Sequence, residues 1–380
     1  MTKVVTIVGT RPEIIRLSRT IARLDDTLTH VLVHTGQNWD YALGDIFFEE
    51  LGLRPPDHRL GIDTSSLGRV LGETLIRTEE VLLAERPDAV LVLGDTNSSI
   101  CAVIAKRMQI PVFHMEAGNR CFDANVPEEV NRRLVDHVAD FNLVYTEHAR
   151  RNLLAEGLEP RRIVLTGSPM AEVLAHYAPR IAGSQAVDQL GLDPRGYVLV
   201  SAHRQENVDD PQRLGALLDV LVRVRATWEL PVVVSTHPRT RKRLDELADR
   251  TLDGIAFHEP FGFPDYVSLQ QQAFCVLSDS GTISEEAAIL GFPAVTLRDS
   301  IERPEALDTG SIIMAGLDAD NVVEAIRTVV HQHAAEERAD VPTDYRITNT
   351  SQRAVNFIIS ATARHHAWAG IRRSADTADG

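Results

Sequence analysis

FCVLSDSGTISEEAAILGFP, residues 274–293, decides how the chain is read. Phe274 to Leu277 form a short apolar run, the signature of a buried strand. Ser280 and Gly281 follow at a tight bend, and Glu285 and Glu286 fall in a helical stretch that begins near Thr282. A strand, a glycine bend and a helix in that order aim free backbone N–H groups at one point, where the helix dipole favours an anion. Ser280 can add a hydroxyl donor. Glu286, one turn into the helix, can accept both hydroxyls of a sugar diol next to a phosphate. An ordinary strand–turn–helix gives the same letters, because carboxylates near a helix N-terminus stabilise it anyway.

The same grammar recurs outward from this stretch. KVVTIVG, HVLVHTG, AVLVLGD, PVFHMEAG, FNLVYT and RIVLTG in the first half, and YVLVSAHR, PVVVSTHP, IAFHEP and FPAVTLR in the second, are Val- and Ile-rich runs. Segments of helical periodicity such as RPEIIRLSRTIARL separate most of them. Strands apolar on consecutive positions and alternating with helices predict parallel sheets covered on both faces. The rhythm breaks around 170–196, which reads as the connection between two doubly wound domains. SQRAVNFIISATARH, near the end, reads as an amphipathic helix, and the chain from about 366 loses pattern and is expected to be mobile.

A chain of 380 residues favours two domains. Its formal net charge of −15 argues against a nucleic-acid or anionic-membrane surface. It leaves room for a small anion, because a local nest of N–H groups can overrule the global field. No window reaches the roughly 18 apolar residues of a membrane span. The opening MTKVVTIVGTRPE has too short an apolar run for a signal peptide. Cys101, Cys121 and Cys275 have no metal-like spacing, so buried thiols in a reducing cytoplasm fit best.

In open α/β sheets ligands sit beyond the carboxyl ends of the strands. Gly9, Thr10 and Arg11 fall there, as do Gly94 with Asp95, Glu116 with Gly118, His203 with Arg204, His237, and Ser280 with Gly281. GTRPE is not G-x-G-x-x-G, so a dinucleotide has little support. Asp95, Glu116, Glu128 and Glu129 form an acidic set suited to proton transfer if pushed into a partly dry cleft. Strand-end caps and first-turn glutamates explain the same residues without chemistry. His203 beside Arg204 can hold a diphosphate through charge-assisted bonds. His114 reads as packed within its strand, and Arg303, Pro304 and Glu305 as a loop next to the strand ends.

GTRPE, TGQN, GDTNSS, EAGNR, PEEVNRR, HRQEN, SDSGTISEEA and ERPEA occur in the order and spacing of the non-hydrolysing UDP-N-acetylglucosamine 2-epimerases, which the chain resembles from about residue 3 to 332. The resemblance implies a GT-B-type architecture: two Rossmann-like doubly wound parallel-sheet domains with a cleft between them. The first would span 1–170 and the second, binding UDP, 171–345. A helix at 346–366 would cross back to the first domain, and 367–380 would form a mobile tail. It also implies inversion at C2 of a UDP-linked 2-acetamido sugar in a cytoplasmic homodimer, with no metal or nicotinamide cofactor. On this likeness Asp95, Glu116, Glu128 and His203 are catalytic. Arg11, Arg132, Arg204, Tyr266, Ser280, Gly281, Glu286 and Arg303 bind UDP or substrate, Glu286 through the ribose.

Five departures stand out, one of them HRQEN in place of the commoner HRREN. Arg16 replaces the usual lysine and Asn38 the usual histidine. SDSGTISEE replaces the commoner TDSGGIQEE, and GIDTSSLGR lacks the glutamine found where many bacterial members bind a second nucleotide sugar. Some motifs look closer to a branch that epimerises UDP-2-acetamido-2,6-dideoxy-L-talose. A GT-B glycosyltransferase using the same cleft is a further alternative, although the three carboxylates would then be surplus.

Overall fold

The computed structural model describes residues 1–36, 47–123, 125–236, 252–337 and 339–371. His237 and Asn38 lie outside the described residues, as does the end of the expected tail, 372–380. The chain divides into two compact units. The first comprises Met1–Asn119, Pro127–Val173 and Ile347–Gly380, and the second Arg120–Val126 and Leu174–Arg346.

The first unit is built on seven strands: β1 (Lys3–Val8), β2 (Thr29–His34), β3 (His58–Arg59), β4 (Ala89–Leu93), β5 (Val112–Ala117), β6 (Phe141–Val144) and β7 (Ile163–Leu165). They lie in the order β3-β2-β1-β4-β5-β6-β7, and every pairing is parallel. Every residue of β4 is buried, which is why it reads as an unbroken apolar run rather than an alternation. The helix Arg11–Thr27 starts with Pro12 in its first turn and buries Ile14, Leu17, Ile21 and Leu24, a stripe at helical spacing. The helix Thr350–Thr362 packs on it, with Arg23 Nε donating to Ser351 Oγ at 2.9 Å. Phe357 from that helix stands edge-on to Phe113 and Phe141.

The second unit repeats the plan with six strands: β8 (Val198–Ser201), β9 (Val232–Ser235), β10 (Ile255–His258), β11 (Cys275–Ser278), β12 (Ala294–Thr296) and β13 (Ile313–Met314). Their order is β10-β9-β8-β11-β12-β13, again parallel throughout. Val198, Val200, Leu218, Leu221, Val232, Leu277 and Val295 are among the side chains of one core layer. Tyr197, Leu199, Val276, Ile283 and Ala294 belong to another.

The fold is thus the GT-B type, with two doubly wound parallel sheets. Strand order reverses between β1 and β4 in the first and between β8 and β11 in the second. Those are the topological switch points, where the loops part and leave a crevice. One expectation needs correcting. Regular structure continues past 366: His365–Ala369 is a short helix, and Trp368 lies 6.1 Å from the Phe141 ring. All three cysteines are buried, and burial pushes the Cys101 and Cys275 thiols far up. Among the described residues no helix is long and apolar enough to cross a membrane.

Candidate active site

In the first unit the residues singled out from the sequence gather at the β1/β4 switch point and the neighbouring end of β5. Glu13, in the first turn after β1, is buried and takes hydrogen bonds from two loops. Gly9 N–H donates at 2.7 Å and the Thr10 hydroxyl at 3.0 Å. From the loop after β4 the Ser98 hydroxyl donates at 2.9 Å and Thr96 Oγ1 donates as well. Burial pushes this carboxyl up to about 7 against the pull of those donors. Glu13 therefore ties the turn holding Arg11 to the turn following Asp95. The Arg11 guanidinium stands 4.7 Å from the Phe47 ring centre, a cation–π arrangement.

Asp95 is half-buried and accepts from Arg132 Nε at 2.7 Å. Arg132 also reaches Glu129 at 3.1 Å, and Asn131 Nδ2 donates to the Asp95 carbonyl at 2.9 Å. Glu128, beside Glu129, is half-buried in the first turn of the helix Pro127–Val138. Glu116 ends β5 at a register shift between Met115 and Ala117. Its φ is +66°, a left-handed conformation that costs a bulky residue on the order of 1–3 kcal/mol. The bulge turns its side chain toward Arg16, whose Nη1 lies 3.4 Å from Glu116 Oε2. Asp95 and Glu116 thus each meet an arginine, and a carboxylate held against a guanidinium is aimed as well as paired.

In the second unit the β8/β11 switch point is organised around Asp279, which is fully buried. It accepts from the backbone N–H groups of His203 at 3.0 Å and Arg204 at 2.9 Å, and from Asn207 Nδ2 at 3.0 Å. This folds the loop after β8 over the end of β11. The His203 side chain is 43% exposed, with Nδ1 3.7 Å from Asp279, so its ring remains accessible. Arg204 Nε donates to the Asp279 carbonyl at 2.9 Å.

The opening bend is as expected in its elements. Ser280 and Thr282 hydroxyls lie 3.0 Å apart, and the helix Ile283–Leu290 follows. A Cβ on Gly281 would stand 2.3 Å from Glu302 Oε1 and 2.5 Å from Arg303 Nη1, so only glycine lets these charges close on the bend. Arg303 is no solvated loop charge. It is buried, with Nε 3.2 Å from Glu285 and Nη1 2.9 Å from Glu302. Glu302 also pairs with Arg298 at 2.5 Å and lies 3.5 Å from Arg204. Glu286 Oε2 accepts from Gln270 Nε2 at 2.7 Å, which fixes its carboxylate one turn behind the bend. Tyr266 is half-buried against the core of this unit. Glu305 accepts from Tyr345 Oη at 2.5 Å, and burial raises its pKa.

Sequence reasoning passed over Glu13, Asp136, Asp279 and Glu302. Each is a buried carboxylate, a residue type seldom fully buried without partners. Asp136 meets Gly118 and Asp279 meets His203 only through the fold, and Glu13 and Glu302 add partners from distant loops, Ser98 and Arg204, to near ones. The one available signal was position, since Glu13, Asp279 and Glu302 sit inside the motifs GTRPE, SDSGTISEEA and ERPEA.

Two doubly wound units, each with charged side chains collected at its switch point, define a GT-B-type enzyme. Within that class, a family profile for UDP-N-acetylglucosamine 2-epimerase matches residues 22–359, and the chain belongs to that family. It is an epimerase, hence an isomerase, and the glycosyltransferase alternative is set aside. A UDP-N-acetylglucosamine 2-epimerase structure from Rickettsia bellii is 42% identical, with a TM-score of 0.90 over 98% of this chain and 100% of that one. The Methanocaldococcus jannaschii UDP-GlcNAc 2-epimerase, in complex with UDP-GlcNAc and UDP, is 34% identical. It superposes with a TM-score of 0.88, covering 94% of this chain and all of its own. A UDP-2,3-diacetamido-2,3-dideoxy-D-glucuronate 2-epimerase from Pseudomonas aeruginosa is 37% identical over 86% of this chain and 92% of its own.

Proposed function

We propose that the protein interconverts UDP-N-acetylglucosamine and UDP-N-acetylmannosamine without hydrolysis. A carboxylate of the first unit removes the C2 hydrogen as the C1–O bond breaks and UDP leaves, giving 2-acetamidoglucal. UDP then returns to C1 while a proton reaches C2 from the opposite face. The C2 hydrogen is only weakly acidic, so the leaving diphosphate must be strongly stabilised and carboxyl groups must serve both faces. In this reading Asp95, Glu116 and Glu128 handle the proton, Arg132 positions Asp95, and Arg11 contacts substrate. His203, Arg204, Ser280, Gly281 and Arg303 serve the diphosphate, Tyr266 the nucleotide and Glu286 the ribose. A cytoplasmic homodimer is part of the same reading.

The observation that carries it is the placement of Asp95 and Glu116 at adjoining strand ends, each against its own arginine. Relatives named for UDP-N-acetylglucosamine, one of them complexed with it, support the choice of sugar. The test is incubation with UDP-N-acetylglucosamine in D₂O followed by NMR. Deuterium at C2 and appearance of the manno epimer are expected. Free UDP with free N-acetylmannosamine would show a hydrolysing enzyme instead. The second reading, epimerisation of a modified UDP-2-acetamido sugar, has the Pseudomonas relative behind it. Silence toward UDP-N-acetylglucosamine would shift the assignment there.

A further inference from the structure

The loops bearing Asp95 and Glu116 leave adjacent strands, and one buried pair fastens both from below. His114 on β5 is 1% exposed, and Asp136, in the helix Pro127–Val138, is fully buried. His114 Nε2 lies 2.8 Å from the Gly94 carbonyl. A carbonyl only accepts, so Nε2 carries a hydrogen and points it at the residue before Asp95. On the other side of the ring, Nδ1 lies 2.9 Å from Asp136 Oδ1. Asp136 also accepts the Gly118 N–H, at 3.1 and 3.2 Å to its two oxygens.

His114 and Gly118 stand two residues either side of Glu116, so Asp136 grips both ends of the bulge that turns Glu116 outward. Gly94 has φ +71°, and its N–H donates to the Met115 carbonyl at 2.9 Å. A Cβ placed on Gly94 would stand 3.7 Å from Glu116 Oε2. The turn before Asp95 and the bulge at Glu116 therefore share one frame, and the left-handed Glu116 at φ +66° needs an external hold. Packing alone would not require one nitrogen of a buried imidazole to meet a carbonyl and the other to stand beside a carboxylate.

We propose that His114 and Asp136 are positioning residues that set Asp95 and Glu116 relative to each other. The inference rests on the proposed role of those two carboxylates in moving the C2 hydrogen. His114→Gln keeps an amide N–H near the Nε2 position, His114→Asn keeps one near Nδ1, and Asp136→Asn weakens both grips. The readouts are kcat, KM, UDP affinity, thermal midpoint and the primary isotope effect with C2-deuterated UDP-N-acetylglucosamine.

His114→Asn and Asp136→Asn are expected to lower kcat about 100-fold, the scale of an ångström of misplacement. KM and UDP affinity should stay within about twofold, since binding groups are untouched. The isotope effect should rise as proton transfer becomes limiting, and His114→Gln should recover about tenfold of the loss by restoring the Gly94 contact. Should His114→Asn fail to fold, the His114→Gln and Asp136→Asn pair gives the same comparison. Unchanged kcat and isotope effect with only a lowered thermal midpoint would overturn the inference, leaving a packing role. A wild-type enzyme that moves no C2 hydrogen in any UDP-2-acetamido sugar would instead overturn the proposed reaction and the inference with it.

Discussion

Arg16 Nη1 stands 3.4 Å from Glu116 Oε2, on a buried side chain whose guanidinium also lies 5.7 Å from the Tyr145 ring centre. One arginine thus links the first helix of the chain to the bulged end of β5. Arg16 occupies the position of the lysine usual in similar motifs, but its planar fork can meet an aromatic ring and a carboxylate together. Arg16→Met is expected to lower kcat by about 10- to 100-fold by freeing Glu116 from its aim, with Arg16→Lys in between. Steady-state kinetics decide it, and a Met variant at wild-type kcat would contradict it.

Asp95→Asn and Glu116→Gln keep shape and remove the ionisable group. Each should lower kcat by about 10²- to 10⁴-fold, the usual reach of general acid–base catalysis. UDP affinity, measured calorimetrically, should be preserved. Loss of affinity alongside kcat would show these residues to be binding groups.

Glu13 makes stability depend on pH in a defined direction. Burial lifts its carboxyl from 4.5 to about 7, so the folded protein holds the proton more tightly than the unfolded chain. Its contribution is complete below the unfolded value and is lost as pH rises to about 7, by on the order of 3 kcal/mol. Denaturant unfolding of wild type and Glu13→Gln should show the stability gap moving against the wild type by about that amount between these limits. A gap that does not vary with pH would contradict the assignment.

The second unit offers a separable test. Gly281→Ala drives a methyl against Glu302 and Arg303, and such overpacking costs about 1–3 kcal/mol. We expect UDP binding to weaken by about tenfold or more. Asp279→Ala strips the acceptor from His203 N–H, Arg204 N–H and Asn207 Nδ2, each unsatisfied donor costing about 1–3 kcal/mol. Both affinity and thermal midpoint should fall. UDP binding unaffected by either change would place the nucleotide elsewhere.

Most of the sheet framework was legible because a strand buried on both faces is apolar at consecutive positions, as β4 is throughout and β11 is up to Ser278. The two-residue edges β3 and β13, His58–Arg59 and Ile313–Met314, left no such trace. The candidate residues were legible where position alone defines them, at strand ends such as Asp95, Glu116, His203 and Ser280. What holds them was not. Asp279 and His203 meet only when β8 and β11 become neighbours, and Asp136 and Gly118 only when the helix Pro127–Val138 packs back against the end of β5. A buried carboxylate looks like a surface one until its donors are known. His114, read as strand packing, showed its second contact only once Gly94 was placed beside it.

The membership of Ile347–Gly380 in the first unit bears on synthesis. The half that leaves the ribosome first lacks part of its packing until the helix Thr350–Thr362 has emerged, because Phe357 stands edge-on to Phe113 and Phe141 and Ser351 anchors Arg23. Until then the nascent chain exposes an aromatic surface, a state in which partly folded chains aggregate or recruit chaperones. A premature stop before residue 347 would therefore damage the amino-terminal half more than the one it interrupts.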